Sequence, residues 1–419
     1  MQMYRPLVKL LFRLLWFLPL TAPQAAEEIV FDNFSKRINL VKQDAHYRVA
    51  ATGHRVSLSR RVIVKTAASV AKAEVLAFHP KVSAVTELFV GRAFRYYALT
   101  LGSEEQLPGV LKALRRLQLE GRVDIELVQP DILQLKSKSE ADISGSGKSS
   151  YFSLLAIDAL WQKTKGKGVR IAVIDDGFNL DHEDLQHIRP IFSYDSETRS
   201  LNASAQALTD NHGTKVAGII FAAHDGLGIK GIAPEADLIA LRQPDTWTSN
   251  TLLSFQLAKL AGADVINCSW HSQWLLQPIV EIVNELAYNG RDGKGIAVVF
   301  AAGNQGREIT TGSNEASIEQ ALVVGANGED FRPLSFSNYG PTVDLFTYGV
   351  GAQSTLVTGQ YGTFSGTSLA SAIVSGLSAL LIAEQPGITL TQLARRLTLI
   401  TTNNKGYPQL DGENRARKQ

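Results

Sequence analysis

An aspartate, a histidine and a serine, each set where an apolar run meets polar residues, carry the chemistry this 419-residue sequence offers. Asp175 closes the apolar run Val169 to Ile174 and is followed by Asp176 and Gly177. His212 begins His-Gly-Thr at the head of a helical stretch, and Ser368 lies in Gly366-Thr367-Ser368 at the start of the longest helical run. Singly, each has an ordinary structural use, as a turn or cap residue or as a loop donor. Together they match the parts of acyl transfer: a hydroxyl nucleophile, an imidazole base near neutral pKa, and a carboxylate that fixes the base's tautomer and stabilises the imidazolium.

Such groups need a scaffold that brings them to one rim. From about Tyr151 onward, buried-strand runs at Val169 to Ile174, Leu238 to Leu241, Asp264 to Ser269, Ile296 to Ala302 and Ala321 to Ala326 alternate with helical periodicity at Thr251 to Ala261 and Pro278 to Tyr288. Right-handed βαβ crossovers then build a mainly parallel sheet covered by helices on both faces, an α/β fold whose ligands bind beyond the carboxyl ends of the strands. Helices at Gly366 to Glu384 and Thr389 to Leu399 complete this domain, taken as residues 151–405, before a polar tail at 406–419.

Ahead of it, Val62 to Val64 reads as a strand, Ala67 to Phe78 as a helix stopped by Pro80, and Val85 to Leu101 as two strands broken near Gly91. Leu107, Val110, Leu111, Leu114 and Leu117 fall at helical spacing, and Val123, Ile125 and Leu127 alternate with acidic residues as a half-buried strand. The order βαββαβ predicts a small ferredoxin-like α+β unit over about 61–132. Residues 27 to 60 are mixed and polar and give no clear pattern. Residues 136–150 are rich in Ser, Lys and Gly and read as an exposed linker.

Residues 1–26 order Arg5, Lys9 and Arg13, a short apolar run Leu14 to Leu20, and small residues up to Ala26. That is the pattern of an export signal cut near Ala25 or Ala26, too short to span a bilayer, and it predicts a secreted or periplasmic protein without stable membrane insertion. The net charge of +2 supplies no concentrated positive field for nucleic acid. The single Cys, Cys268, cannot form an intramolecular disulfide and reads as a packing residue of an apolar strand.

The motifs around the three residues resemble those of subtilisin-like serine proteases. Residues 168–185 (Gly-Val-Arg-Ile-Ala-Val-Ile-Asp-Asp-Gly and on to Asp-Leu) resemble the aspartate motif, Asn211 to Gly218 the histidine motif, and Gly366 to Gly376 the serine motif. Gly231-Ile-Ala-Pro-Glu-Ala236 and Ala301-Ala-Gly-Asn304 are similar to further family segments in the same order, and the chain order Asp, His, Ser is that of subtilisin. The resemblance implies Ser368 as nucleophile, His212 as general base and then acid, Asp175 as orienting carboxylate, and Asn304 as a side-chain oxyanion donor beside the Ser368 N–H. It further implies a zymogen: residues 27–135 as a propeptide that assists folding and inhibits the active site, with self-cleavage between Leu133 and Ser150. Substrates would be proteins or peptides. No cofactor is required; a structural calcium is compatible with the family but has no place on this sequence.

The departures are informative. Asp-Asp-Gly at Asp175 is similar to the kexin-like branch, yet Ser269 to Val280 contains no Asp or Glu to receive paired basic residues. Ser269, Trp270 and His271 align with the family's Ser-X-Gly substrate strand, and His271 stands where Gly is usual, so subsites are expected to be narrowed or reshaped. Lys215 replaces a usual His. These departures leave an alternative in which the fold serves as a catalytically weak binding or chaperone module.

Overall fold

The computed structural model describes residues 28–121, 123–138 and 151–402. The expected export signal, the linker beyond residue 138 and the polar tail lie outside the described residues.

The N-terminal part runs β1 (Glu28–Asn33), β2 (Lys36–Gln43), β3 (His46–Val49), β4 (Arg55–Ala67), α1 (Lys72–Leu76), β5 (Val82–Val90), β6 (Phe94–Leu101), α2 (Leu107–Leu119) and β7 (Ile125–Leu133). Its ferredoxin-like core has the antiparallel order β7-β4-β6-β5. α2 contributes Leu107, Val110, Leu111 and Leu114 to its core, as the helical spacing requires. Two features differ from the sequence reading. The helix expected over Ala67 to Phe78 shrinks to α1, because β4 continues through Ala67 on a ladder with β6. The unreadable stretch 27–60 is an antiparallel meander, β1-β2-β3, that joins the sheet along β4.

After β8 (Ser137–Lys138) come α3 (Tyr151–Leu154), α4 (Ile157–Trp161), β9 (Arg170–Asp175), β10 (Phe192–Asp195), α5 (His212–Phe221), β11 (Asp237–Arg242), α6 (Thr248–Leu260), β12 (Val265–Cys268), β13 (Trp270–His271) and α7 (Gln277–Gly293). The chain ends its described part with β14 (Ala297–Ala301), β15 (Leu322–Asn327), β16 (Leu345–Tyr348), β17 (Ala352–Thr355), β18 (Tyr361–Phe364), α8 (Thr367–Glu384) and α9 (Leu390–Thr401). The central sheet has seven strands in the order β10-β11-β9-β12-β14-β15-β16, all parallel. Its inner strands are apolar on both faces: Ile171 and Val173 join a core with α5 and α8, while Ala172 and Ile174 join one with α6 and α7. α8 has the length and apolarity of a membrane span, but it is the buried helix of that core.

The second of these cores does not stop at the domain border. Buried residues of the N-terminal sheet, such as Leu88, Tyr96 and Leu127, belong to the same apolar cluster as Leu252, Phe255 and Ile282 of α6 and α7. The linker also begins differently from expectation: Ser137 and Lys138 form β8, paired antiparallel with β13. The parallel sheet's strand order puts the carboxyl ends of β9, β12 and β14 side by side, and the candidate residues gather there.

Candidate active site

Asp175 is the last residue of β9, held in register by β11, and is fully buried. His212 is the first residue of α5, and its Nδ1 lies 2.9 Å from each carboxylate oxygen of Asp175. Because a carboxylate only accepts, Nδ1 carries the hydrogen and Nε2 presents its lone pair. Nε2 lies 2.9 Å from Oγ of Ser368, the second residue of α8. The edge of the Phe364 ring packs against the imidazole, 5.7 Å between centroids, which restricts its tilt. Burial alone would raise the Asp175 pKa. The facing His212, its hydrogen bond, the Lys136 ammonium and the Asp176 N–H outweigh burial and hold it below the ordinary 3.8.

The neighbouring Asp176 anchors the histidine helix. Its two oxygens accept from the backbone N–H groups of His212 (3.2 Å) and Gly213 (2.8 Å), the unpaired donors of the first turn of α5. Glycine at 213 follows from the same closeness, since a Cβ there would stand 2.4 Å from the Gly177 carbonyl oxygen. Lys215, the unusual residue one turn on, lies over the Phe364 ring.

Asn304 follows β14 and is fixed through Thr367. Its Oδ1 accepts from the Thr367 N–H (3.0 Å) and Thr367 Oγ1 (2.9 Å). The amide is thereby oriented, and its buried Nδ2 has no hydrogen-bond partner among the described residues. The Ser368 N–H lies in the first turn of α8, where helix geometry supplies no acceptor. Thr367 was part of the serine motif in the sequence, but its task of aiming Asn304 becomes visible only in the fold.

Ser269, Trp270 and His271 form the strand beside Ser368. The Ser269 carbonyl accepts from Ser368 Oγ at 2.9 Å. Behind it, Ser269 Oγ sits 2.8 Å from Ser371 Oγ and accepts from Asn267 Nδ2, while Ser375 Oγ donates to Asn267 Oδ1. This polar network locks the strand to α8; Ser371 and Ser375 stood within the serine motif and Ser269 on the substrate strand, but their mutual bonds could not be read from the sequence. Trp270 Nε1 donates to the Ile174 carbonyl, tying β13 to the end of β9. β8 pairs with this strand in the register Ser137 opposite His271 and Lys138 opposite Trp270.

Away from this rim, His182, Glu183 and Asp184 bond to the Gln360 carbonyl, the Tyr361 hydroxyl and the Ile229 N–H respectively, and so tie neighbouring loops together. Among the described residues no three His, Cys, Asp or Glu side chains assemble as metal ligands. Cys268 is buried and its thiol pKa is pushed well up, chiefly by burial, which keeps it from acting as a thiolate.

A parallel α/β sheet carrying a hydrogen-bonded Asp, His and Ser at its carboxyl rim is the arrangement of a serine hydrolase. The subtilase family profile matches residues 166–416. A thermophilic serine proteinase from Bacillus sp. (strain AK1) is 35% identical over 300 residues, 69% of each chain. Subtilisin NAT of Bacillus subtilis subsp. natto is 33% identical over 244 residues, 57% of this chain and 61% of its own length. This chain thus spans about three fifths of the latter relative. A solved structure described as a cold adapted subtilisin-like serine proteinase overlaps with a TM-score of 0.46 at 26% identity, covering 55% of this chain and 81% of that one. The chain belongs to the subtilase family and with it to the serine-type endopeptidases.

Proposed function

We propose that the protein is an exported endopeptidase, made as a zymogen, that hydrolyses peptide bonds through an acyl-enzyme on Ser368. The observation that carries this reading is the unbroken line Asp175, His212, Ser368, with both links at 2.9 Å. The Ser368 hydroxyl has one hydrogen and two acceptors at 2.9 Å, His212 Nε2 and the Ser269 carbonyl. A peptide whose N–H takes the Ser269 carbonyl leaves Nε2 as the remaining acceptor, so binding itself directs the proton toward the base. Ser368 Oγ attacks the scissile carbonyl as His212 takes its proton. The oxyanion forms between the Ser368 N–H and Asn304 Nδ2, and His212 returns the proton to the leaving amine. Water then repeats the sequence on the acyl-enzyme. Preorganisation by Thr367 means that the oxyanion donor needs no rotation during the reaction.

The N-terminal module acts as propeptide, in this reading. Its β8 lies along β13 as a substrate would, and Lys136 reaches the Gln243 carbonyl and the Trp270 ring. Buried Asp131 at the end of β7 accepts from Ser249 N–H (2.8 Å) and Ser249 Oγ, capping α6, and Asn33 Oδ1 accepts from Gln277 N–H (2.8 Å), capping α7. A non-local parallel sheet is slow to form, and a partner that supplies two helix caps and a shared core speeds it. β8 lies beside the site and the described part of the module ends at Lys138, so the favoured processing bond within Leu133 to Ser150 lies beyond Lys138. Intact-mass analysis of the exported wild type beside Ser368→Ala tests this. Wild type is expected to begin between Lys138 and Ser150 and the variant to keep its N-terminal module. Equal loss of the module from both contradicts self-processing.

A further inference from the structure

Lys136 is a charged side chain of the N-terminal module that is held by groups of the catalytic domain. It directly precedes β8, in which Ser137 pairs with His271 and Lys138 with Trp270. Its ammonium donates to the Gln243 carbonyl at 2.5 Å and stands 5.1 Å from the centre of the Trp270 ring, within range of a cation–π interaction. Both partners are fixed independently of it. Trp270 Nε1 donates to the Ile174 carbonyl at 2.7 Å, and the indole meets the Phe300 ring edge-on at 6.1 Å between centroids. The Gln243 N–H donates to the Asp175 carbonyl at 2.6 Å, and its side-chain Nε2 donates to Thr251 Oγ1 at 3.0 Å. An indole face and a carbonyl are thus presented without rearrangement, which lowers the cost of binding whatever fits them.

The surroundings favour a cation over an apolar side chain. A leucine in place of the ammonium would cover the ring but leave the carbonyl of fully buried Gln243 without this donor, a loss that an ammonium or guanidinium avoids. Burial would raise the Asp175 pKa, yet His212 and the Lys136 ammonium hold it below 3.8, and the same attraction acts on the ammonium in return. Ser269 to Val280 holds no Asp or Glu, so the cation is received by a π-face and a carbonyl dipole rather than by a carboxylate of the strand.

We infer that Trp270 and Gln243 form a cation subsite, by which the enzyme selects peptides carrying Lys or Arg at the residue just before the one that pairs with His271. This rests on the endopeptidase reading, with a peptide taking the place of β8, and deepens it by naming the substrate class. Arg suits the same partners, since its plane stacks on an indole while its N–H groups donate to a carbonyl.

The matured enzyme is assayed on peptides of the chain's residues 131–150 with Lys, Arg, Leu, Ala or Glu at position 136, and the products are read by mass so that all rates refer to the same bond. kcat/KM is expected to be highest for Lys and Arg, about 10- to 100-fold lower for Leu and Ala, and lowest for Glu. In Trp270→Leu the advantage of Lys over Leu should shrink about tenfold. Wild type that cleaves the Leu peptide as fast as the Lys peptide overturns the proposal, since the subsite is then merely apolar, and that ranking decides the matter even where the variant does not fold. An undiminished preference for Lys in folded Trp270→Leu overturns it too. Hydrolysis that is absent from every peptide, or that survives in Ser368→Ala, strikes the endopeptidase reading itself, and the proposal falls with it.

Discussion

Helix α5 and helices α6 and α7 all begin near the same rim, yet their first turns are satisfied from different places. α5, which carries His212, takes its cap from Asp176, inside the catalytic domain itself. α6 and α7 take theirs from Asp131 and Asn33, on the far side of the processing bond. The difference teaches how one chain can be both dependent and independent. If the module is removed as proposed, the contacts that hold Asp175, His212 and Ser368 to one another remain, whereas the helices that support that face lose two caps and part of their apolar cover. On that proposal, dependence lies in getting to the fold, and independence in using it.

The largest effect tests the self-sufficient region. His212→Ala, freed of its N-terminal module by an added protease because it cannot process itself, should lower kcat by about a million-fold, the size of loss found for the same role in subtilisin and borrowed from it, with the fold intact by circular dichroism. Asn304→Ala should lower kcat by about 100- to 1000-fold with little change in KM, again a magnitude taken from subtilisin. Steady-state kinetics on a single peptide separate the two.

Stability measurements then address the borrowed caps. In a Ser368→Ala background, which keeps the precursor whole, Asp131→Ala leaves Ser249 and Arg61 without their shared carboxylate and should cost about 1–3 kcal/mol in denaturant unfolding. Under the proposed processing, the matured enzyme no longer contains residue 131. Asp176→Ala, by contrast, should cost about 1 kcal/mol in precursor and matured protein alike. A cost confined to the precursor would break the comparison drawn between α5 and α6.

The smallest effect is the acid response of Asp175. Its pKa is depressed in the fold, so its stabilising contribution is present above the ordinary value near 4 and is lost as pH falls through the lower folded value. Urea midpoints of Ser368→Ala precursor and of the same precursor with Asp175→Asn should therefore converge as the pH drops below about 4.

How much of this was legible without coordinates follows from burial. β9, β11, β12, β14 and β15 are buried on both faces and announce themselves as apolar runs, and the residues that end or follow them are where chemistry was sought. β10 and β16 escaped the sequence reading because they are four-residue edge strands, and β10 is only half-buried over Phe192 to Tyr194. The meander hid for a related reason: β2 buries Leu40 alone, so neither period 2 nor an apolar run stands out. β8 is a polar dipeptide whose strand character exists only through β13. The triad residues were legible by motif and spacing. The services of Thr367, Asp176, Asn267 and Ser371 were not, since each depends on residues distant in sequence.

The central claim is that Ser368 is a nucleophile activated by His212. Reaction of the matured enzyme with a fluorophosphonate, followed by peptide mass mapping, tests it most directly. One phosphonylated residue, Ser368, is expected, with loss of labelling in His212→Ala whose N-terminal module has been removed by an added protease. A label on another residue, or labelling that persists in Ser368→Ala, would contradict it.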